Sequence, residues 1–191
     1  IKIMKKYSLL VSALLLTFGV YGQSIFERYA ENDEVTLVSI SPKMFKMLGQ
    51  MSINVDDPEA QEYLDMVTSI NNFKVLISSN QEISGEMLKW VNLQVSKNNM
   101  EQLMSVKDPE ANVTFYVKDG KKDDHVEQLL MYVKENIKTS TNKIEFNGRS
   151  IEAVLMLLEG DIDLNKISKL TDQMDLPGGK QLKKAQKKKS L

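Results

Sequence analysis

Three groups of side chains in this sequence are spaced as chemistry requires. Asp161, Asp163 and Asn165 stand at positions 1, 3 and 5 of a frame that Asp172 closes at position 12, the spacing at which oxygen ligands wrap a calcium ion. Position 6 of that frame is Lys166, where the sharp turn of a calcium loop wants glycine. Leu164 and Ile167 also fit a buried helix face, so a helix cap at Asp163 accounts for these residues better than a metal loop. His125, the one histidine, follows Asp123 and Asp124, and an imidazole beside carboxylates is a candidate base or metal ligand. A metal site or a catalytic triad would have to draw its other members from carboxylates and hydroxyls alone. The expectation is therefore an exposed histidine in a polar turn at a strand start. Met44, Met47 and Met51 could gather thioethers around copper(I), a soft ion. Core packing explains the same stripe and is preferred, because methionine fills irregular gaps between helix and sheet.

Another acidic pair, Asp56-Asp57, sits beside Pro58 in a turn-like segment where solvated carboxylates are ordinary. No glycine-rich phosphate loop, nucleophile elbow or metalloprotease helix occurs in the sequence. With no cysteine there is no disulfide, thiolate metal site or thiol nucleophile. No catalytic, cofactor-binding or metal residue is assigned, no cofactor is expected, and the reading is of a protein that is not an enzyme.

Charge and hydropathy are uneven along the chain. Lys2, Lys5 and Lys6 precede the apolar run from Leu9 to Val20, which is too short for the roughly 20 residues that span a bilayer. With Val20-Tyr21-Gly22 as a cleavage point, residues 1–22 read as a signal peptide and Met4 as the natural start. Lipid attachment after such a leader needs a cysteine, so the expectation is a periplasmic protein that is not a lipoprotein. Residues 177–191 begin with Pro177-Gly178-Gly179 and carry Lys180, Lys183, Lys184, Lys187, Lys188 and Lys189; they read as a disordered basic tail. Such lysines could also meet an anionic membrane surface, at about 1 kcal/mol each. Because the net charge of the whole chain is −1, the body between leader and tail is acidic. Nucleic acid, which needs a clustered positive face, is not an expected partner.

Residues 23–176 are long enough for one domain. Ser24-x-x-Glu27 predicts a capping box for a short helix burying Phe26 and Tyr29. Val35–Ile40, apolar on both faces, predicts an interior strand. Ser41-Pro42 predicts the start of a helix carrying Met44, Phe45, Leu48 and Met51, ended or loosened by Gly49. Asp57-Pro58 starts another, with Ala60, Tyr63, Leu64, Val67 and Ile70 as its stripe. Phe73, Val75 and Ile77 then alternate as a strand. Ser84 is the expected cap of the next helix, with Ile83 stapled on Leu88 and with Met87, Val91 and Val95 inward; Asn98-Asn99 stops it.

Beyond residue 100 the period becomes two. Leu103–Lys107, a strand around Val113, Phe115 and Val117, and Val126–Val133 predict a meander with turns at Asp108-Pro109 and Asp119-Gly120. Asn147-Gly148 predicts a type I′ hairpin pairing Ile144 with Ile151. Ala153–Leu158 predicts a central strand closed by Gly160-Asp161-Ile162-Asp163, and Leu164, Ile167, Leu170 and Met174 a last helix. The fold class is α+β: a largely antiparallel sheet with helices packed on one face.

Phe26-x-x-Tyr29, Ser41-x-x-Met44-Phe45, and Gly160-Asp161-Ile162-Asp163-Leu164 leading to Ile167-Ser168-Lys169-Leu170 resemble a family of exported Bacteroidetes proteins catalogued as a domain of unknown function. The resemblance covers nearly the whole mature chain up to about Met174 and carries over no catalytic residues. It implies a gene near those for envelope-stress sigma factors and a role in envelope homeostasis. The expected function is an exported non-enzymatic protein binding an envelope partner through its sheet or an exposed edge. The alternative is a periplasmic carrier of a small apolar ligand held between helices and sheet.

Overall fold

The computed structural model describes residues 24–51, 58–107, 111–122, 124–135, 145–146 and 148–164. The leader, the Asp56-Asp57 and Asp108-Pro109 segments, Asp123, Ile144, Asn147, the last helix and the basic tail lie outside the described residues.

In chain order the elements are α1 (Ile25–Arg28), β1 (Val35–Ile40), α2 (Pro42–Met51), α3 (Pro58–Thr68), β2 (Ile70–Ser78), α4 (Gln81–Lys97), β3 (Glu101–Lys107), β4 (Ala111–Asp119), β5 (His125–Glu135), β6 (Glu145–Phe146), β7 (Arg149–Ser150) and β8 (Ala153–Asp163). Six strands form one sheet in the order β1-β2-β8-β5-β4-β3, and every neighbouring pair is antiparallel. The α+β class, the β3-β4-β5 meander and the central position of the Ala153 strand follow the sequence reading. In the β6–β7 hairpin Glu145 pairs with Ser150 across Gly148, whose φ is 74°, as a type I′ turn there requires.

The helices, however, lie on both faces of the sheet. Phe73, Val75 and Ile77 of β2, Met131 of β5 and Met156 of β8 share one face with Phe45 of α2 and Met66 and Val67 of α3. Leu76, Leu130, Tyr132 and Leu155 share the other with Ile25 and Phe26 of α1 and Ile83, Met87 and Val91 of α4. Period-2 alternation that is apolar on both sides demands this second cover. A 17-residue α4 is about 25 Å long, enough to cross the roughly 19 Å separating β2 from β3 four strands away.

Several local expectations change. Val35–Ile40 is an edge strand, pairing with β2 alone among the described residues. The hydroxyl of Ser24 makes no capping bond; its carbonyl oxygen accepts from the N–H of Glu27 and of Arg28. Gly49 does not end α2, which runs to Met51; a Cβ there would lie 2.2 Å from Thr68 Cγ2, so glycine lets α2 and α3 close. Ile70 opens β2 instead of completing the α3 stripe. The cap of α4 is Asn80, whose side-chain oxygen accepts from the N–H of Glu82 and of Ile83. Ser84 is buried inside the helix, and Leu88 is exposed and forms no staple. At its far end α4 stops at Lys97 as expected, with Asn99 in the left-handed region at φ 50°.

Candidate functional site

Strand register breaks along one end of the sheet. β2 carries an extra residue opposite β8 between Ile70 and Asn72, and β8 sets Gly160 and Asp161 against the single residue Glu127 of β5. β5 in turn shifts against β4 beside Lys118. A bulge of this kind re-aims side chains and sharpens twist. Gly160 permits it: a Cβ at that position would lie 2.3 Å from Ser69 O and 2.9 Å from Ile70 Cα. The bulge is tied down where the N–H of Asp161 donates to Ser69 O at 3.1 Å. Next to it, the Glu159 carboxylate accepts from Asn72 Nδ2 and Gln128 Nε2, each at 2.6 Å.

The bulge delivers Asp161 to His125. Oδ1 of Asp161 lies 2.7 Å from Nδ1 of His125. A carboxylate can only accept, so Nδ1 carries a proton, and the neutral form of the ring has its lone pair at Nε2. Nε2 faces Asp124 Oδ1 at 3.7 Å, beyond hydrogen-bond range. The backbone holds the ring in place: His125 N–H donates to Lys122 O, Gly120 N–H to His125 O, and Leu164 N–H to Asp124 O. Lys122 Nζ approaches the other oxygen of Asp161 at 4.0 Å. Asp163 is the ladder partner of His125, and Asp124, His125 and Asp163 offer ligand atoms all within 4.8 Å of one another. Chemically, this is an imidazole of fixed tautomer among carboxylates, fit for proton transfer or for holding a cation.

These positions differ from those expected from the sequence. His125 does open a strand, but its side chain is only 15 % exposed, against 61 % for Asp161. Asp161 and Asp163 lie in β8, which continues through Gly160 where the sequence suggested an end. The turn and cap expected there give way to a bulged strand, because β5 pairs with β8 as far as Asp163. Asn165 and Asp172, the other two positions of the calcium frame, lie outside the described residues. The pairing of His125 with Asp161 was missed, although Gly160 inside an otherwise apolar-then-acidic run is a bulge signal.

The methionine stripe is also corrected. Met44 is 45 % and Met47 47 % exposed, with Leu48 exposed beside them, while Phe45 alone of the neighbours turns into the core. Packing against the sheet therefore does not account for Met44 and Met47, which α2 presents outward; the side chain of Met51 lies outside the described ones. The adjoining β1 edge also exposes Val38. Its six residues, VTLVSI, include no charge, and its register with β2 is unbroken. The opposite edge, β3, carries Glu101 and Lys107 and a register irregularity between Gln102 and Met104. Charges and bulges are the means by which edge strands resist pairing; β3 has both and β1 neither.

Elsewhere, Tyr132 is buried and donates to Ser84 O at 3.0 Å, with Ser84 Oγ 3.2 Å from its hydroxyl. Burial pushes the Tyr132 phenol up, Glu152 adds to the rise, and the Ser84 bond opposes it. Tyr29 donates to Glu86 Oε2 at 2.8 Å, and burial first, then this bond, push it up to about 12. Clefts lined by described residues include one of about 20 Å³ beside Glu34 and Arg149, and an open groove of about 290 Å³ between α2 and α3 lined in part by Lys46, Gln50, Gln61 and Asp65. Among the described residues no helix is long and apolar enough to cross a membrane.

A family model described as a domain of unknown function, DUF4252, matches residues 29–170. No curated protein and no solved structure matches the chain.

Proposed function

The chain belongs to the DUF4252 family, and from that premise we propose that it is an exported, non-enzymatic protein of the Bacteroidetes periplasm that binds another envelope protein through its β1 edge. Carrying this reading is the contrast between the two sheet edges: β3 is charged and irregular, whereas β1 is uncharged, regular and followed directly by the outward Met44, Met47 and Leu48. An unguarded strand edge offers a partner backbone hydrogen bonds, and pockets beside it give specificity. Exposed methionines add a surface that adapts its shape to what it meets. The leader, the acidic body and the implied neighbourhood of envelope-stress sigma factors agree with a role in envelope homeostasis. The lysines of residues 180–189 would add attraction to an anionic membrane surface.

The alternative, a carrier of small apolar ligands, needs an enclosed apolar cavity, whereas the groove between α2 and α3 is open and lined in part by Lys46, Gln50, Gln61 and Asp65. The test is native purification from the periplasmic fraction of cells making the wild-type chain or a Val38→Lys/Met47→Asp double variant. One partner is expected with the wild type and at least ten-fold less of it with the variant, at unchanged circular dichroism. Equal recovery, or a chain found in the cytosol with residues 1–22 attached, would defeat the reading.

A further inference from the structure

We propose that His125, Asp124 and Asp163 form a site for a divalent transition-metal ion of the Zn2+ type, oriented by Asp161. The site stands apart from the partner-binding reading, since it lies at the start of β5, the residue before it and the end of β8, and uses none of the β1 or α2 residues.

Four features of the cluster carry it. First, Asp161 Oδ1 accepts a hydrogen bond from Nδ1–H of His125, at 2.7 Å, which leaves Nε2 to bind a metal; a carboxylate on the far nitrogen is how metal-bound histidines are held and made more basic. Second, Nε2 faces Asp124 Oδ1 at 3.7 Å, too far for a hydrogen bond but right for a shared cation. An ion about 2.1 Å from each would subtend about 120° between them, close to the tetrahedral preference of zinc. Third, Asp163 lies across the ladder from His125, and Asp124, His125 and Asp163 each offer a ligand atom within 4.8 Å of those of the other two. At a tetrahedral angle, bonds of about 2.1 Å set two donors about 3.4 Å apart, so closure asks the widest pair to come together by up to about 1.4 Å, a rotation within reach of aspartate side chains. Fourth, two of the three donor residues are placed by backbone bonds, from Gly120 N–H to His125 O and from Leu164 N–H to Asp124 O.

Two carboxylates balance the charge of a divalent ion, and an imidazole donor selects against calcium and magnesium, which prefer all-oxygen shells. With three protein donors, the fourth position is left to water. Lys122 sits on the outer oxygen of Asp161, 4.0 Å away.

The experiment is titration of the untagged full chain with Co2+, read by visible absorption, followed by displacement with Zn2+ and, separately, with Ca2+. One Co2+ per chain with intense ligand-field bands, tighter than about 10 µM, displaced by Zn2+ and not by Ca2+, is expected. His125→Gln should abolish the bands. Asp161→Asn should weaken binding about 10- to 100-fold, the usual effect of losing such an outer partner. Asp124→Asn alters a 58 % exposed side chain and keeps a folded control in which binding must also weaken. Absence of binding, binding unchanged in any of the three folded variants, or displacement by Ca2+ as easily as by Zn2+ would overturn the proposal.

Discussion

Nδ1 of His125 lies 2.7 Å from Oδ1 of Asp161, a residue 36 positions later in the chain, and the contact spans a bulge built on Gly160. The carboxylate fixes which ring nitrogen holds the proton. Nitrogen-15 NMR of the neutral ring should show the Nδ1–H tautomer in the wild type. In Asp161→Ala the more common Nε2–H form should take over. Because Asp161 is largely exposed, the loss of stability should stay below about 1 kcal/mol.

The bulge itself is tested by two glycines of opposite sign. At Gly160 a Cβ meets Ser69 O and Ile70 Cα, both backbone atoms that cannot move aside, whereas at Gly85 on α4 nothing lies within 4 Å. Gly160→Ala should cost about 2–4 kcal/mol in urea unfolding. Gly85→Ala should raise stability by about 0.5–1 kcal/mol, the helix-propensity difference.

Sequence patterning made most of the fold legible where one physical signal governed. The meander, the hairpin at Gly148 and the central Ala153 strand all came from period and turn chemistry acting locally. Positions set by long-range pairing were hidden. Val35–Ile40 has an interior strand's composition, yet composition cannot say whether a second neighbour arrives. Asp161 and Asp163 looked like a cap because the pairing of β5 with β8 that draws them into a strand is invisible locally. Met44 and Met47 fitted a core stripe, and only their exposure distinguishes an outward face from an inward one.

Helix capping at α4 illustrates the same limit. Ser84 has the right residue type, but Asn80 supplies the bonds to Glu82 and Ile83, while Ser84 is spent on Tyr132. Asn80→Ala should cost about 1 kcal/mol and speed hydrogen exchange at the amides of Glu82 and Ile83. Ser84→Ala should leave those two amides protected.

Two phenols give the fold an alkaline limit. Tyr29, raised to about 12, and Tyr132, raised by burial, stay neutral in the fold beyond the pH at which they ionise in the unfolded chain, about 10. Above that pH the unfolded chain holds fewer protons, so the stability they contribute is whole below about pH 10 and is lost as pH rises toward the folded values. Urea midpoints should therefore fall from about pH 10 upward, and less steeply in Tyr29→Phe. Tyr132→Phe should flatten the fall too, at a cost of about 1–2 kcal/mol at neutral pH from the lost hydroxyl.

Partner binding at the β1 edge is tested most directly by a photo-crosslinking residue placed at Met47, and separately at the exposed Lys97 of α4, in living cells. One dominant adduct with an envelope protein is expected from position 47, lost when Val38→Lys is added. No adduct from position 47, or the same adduct from position 97, would contradict the account.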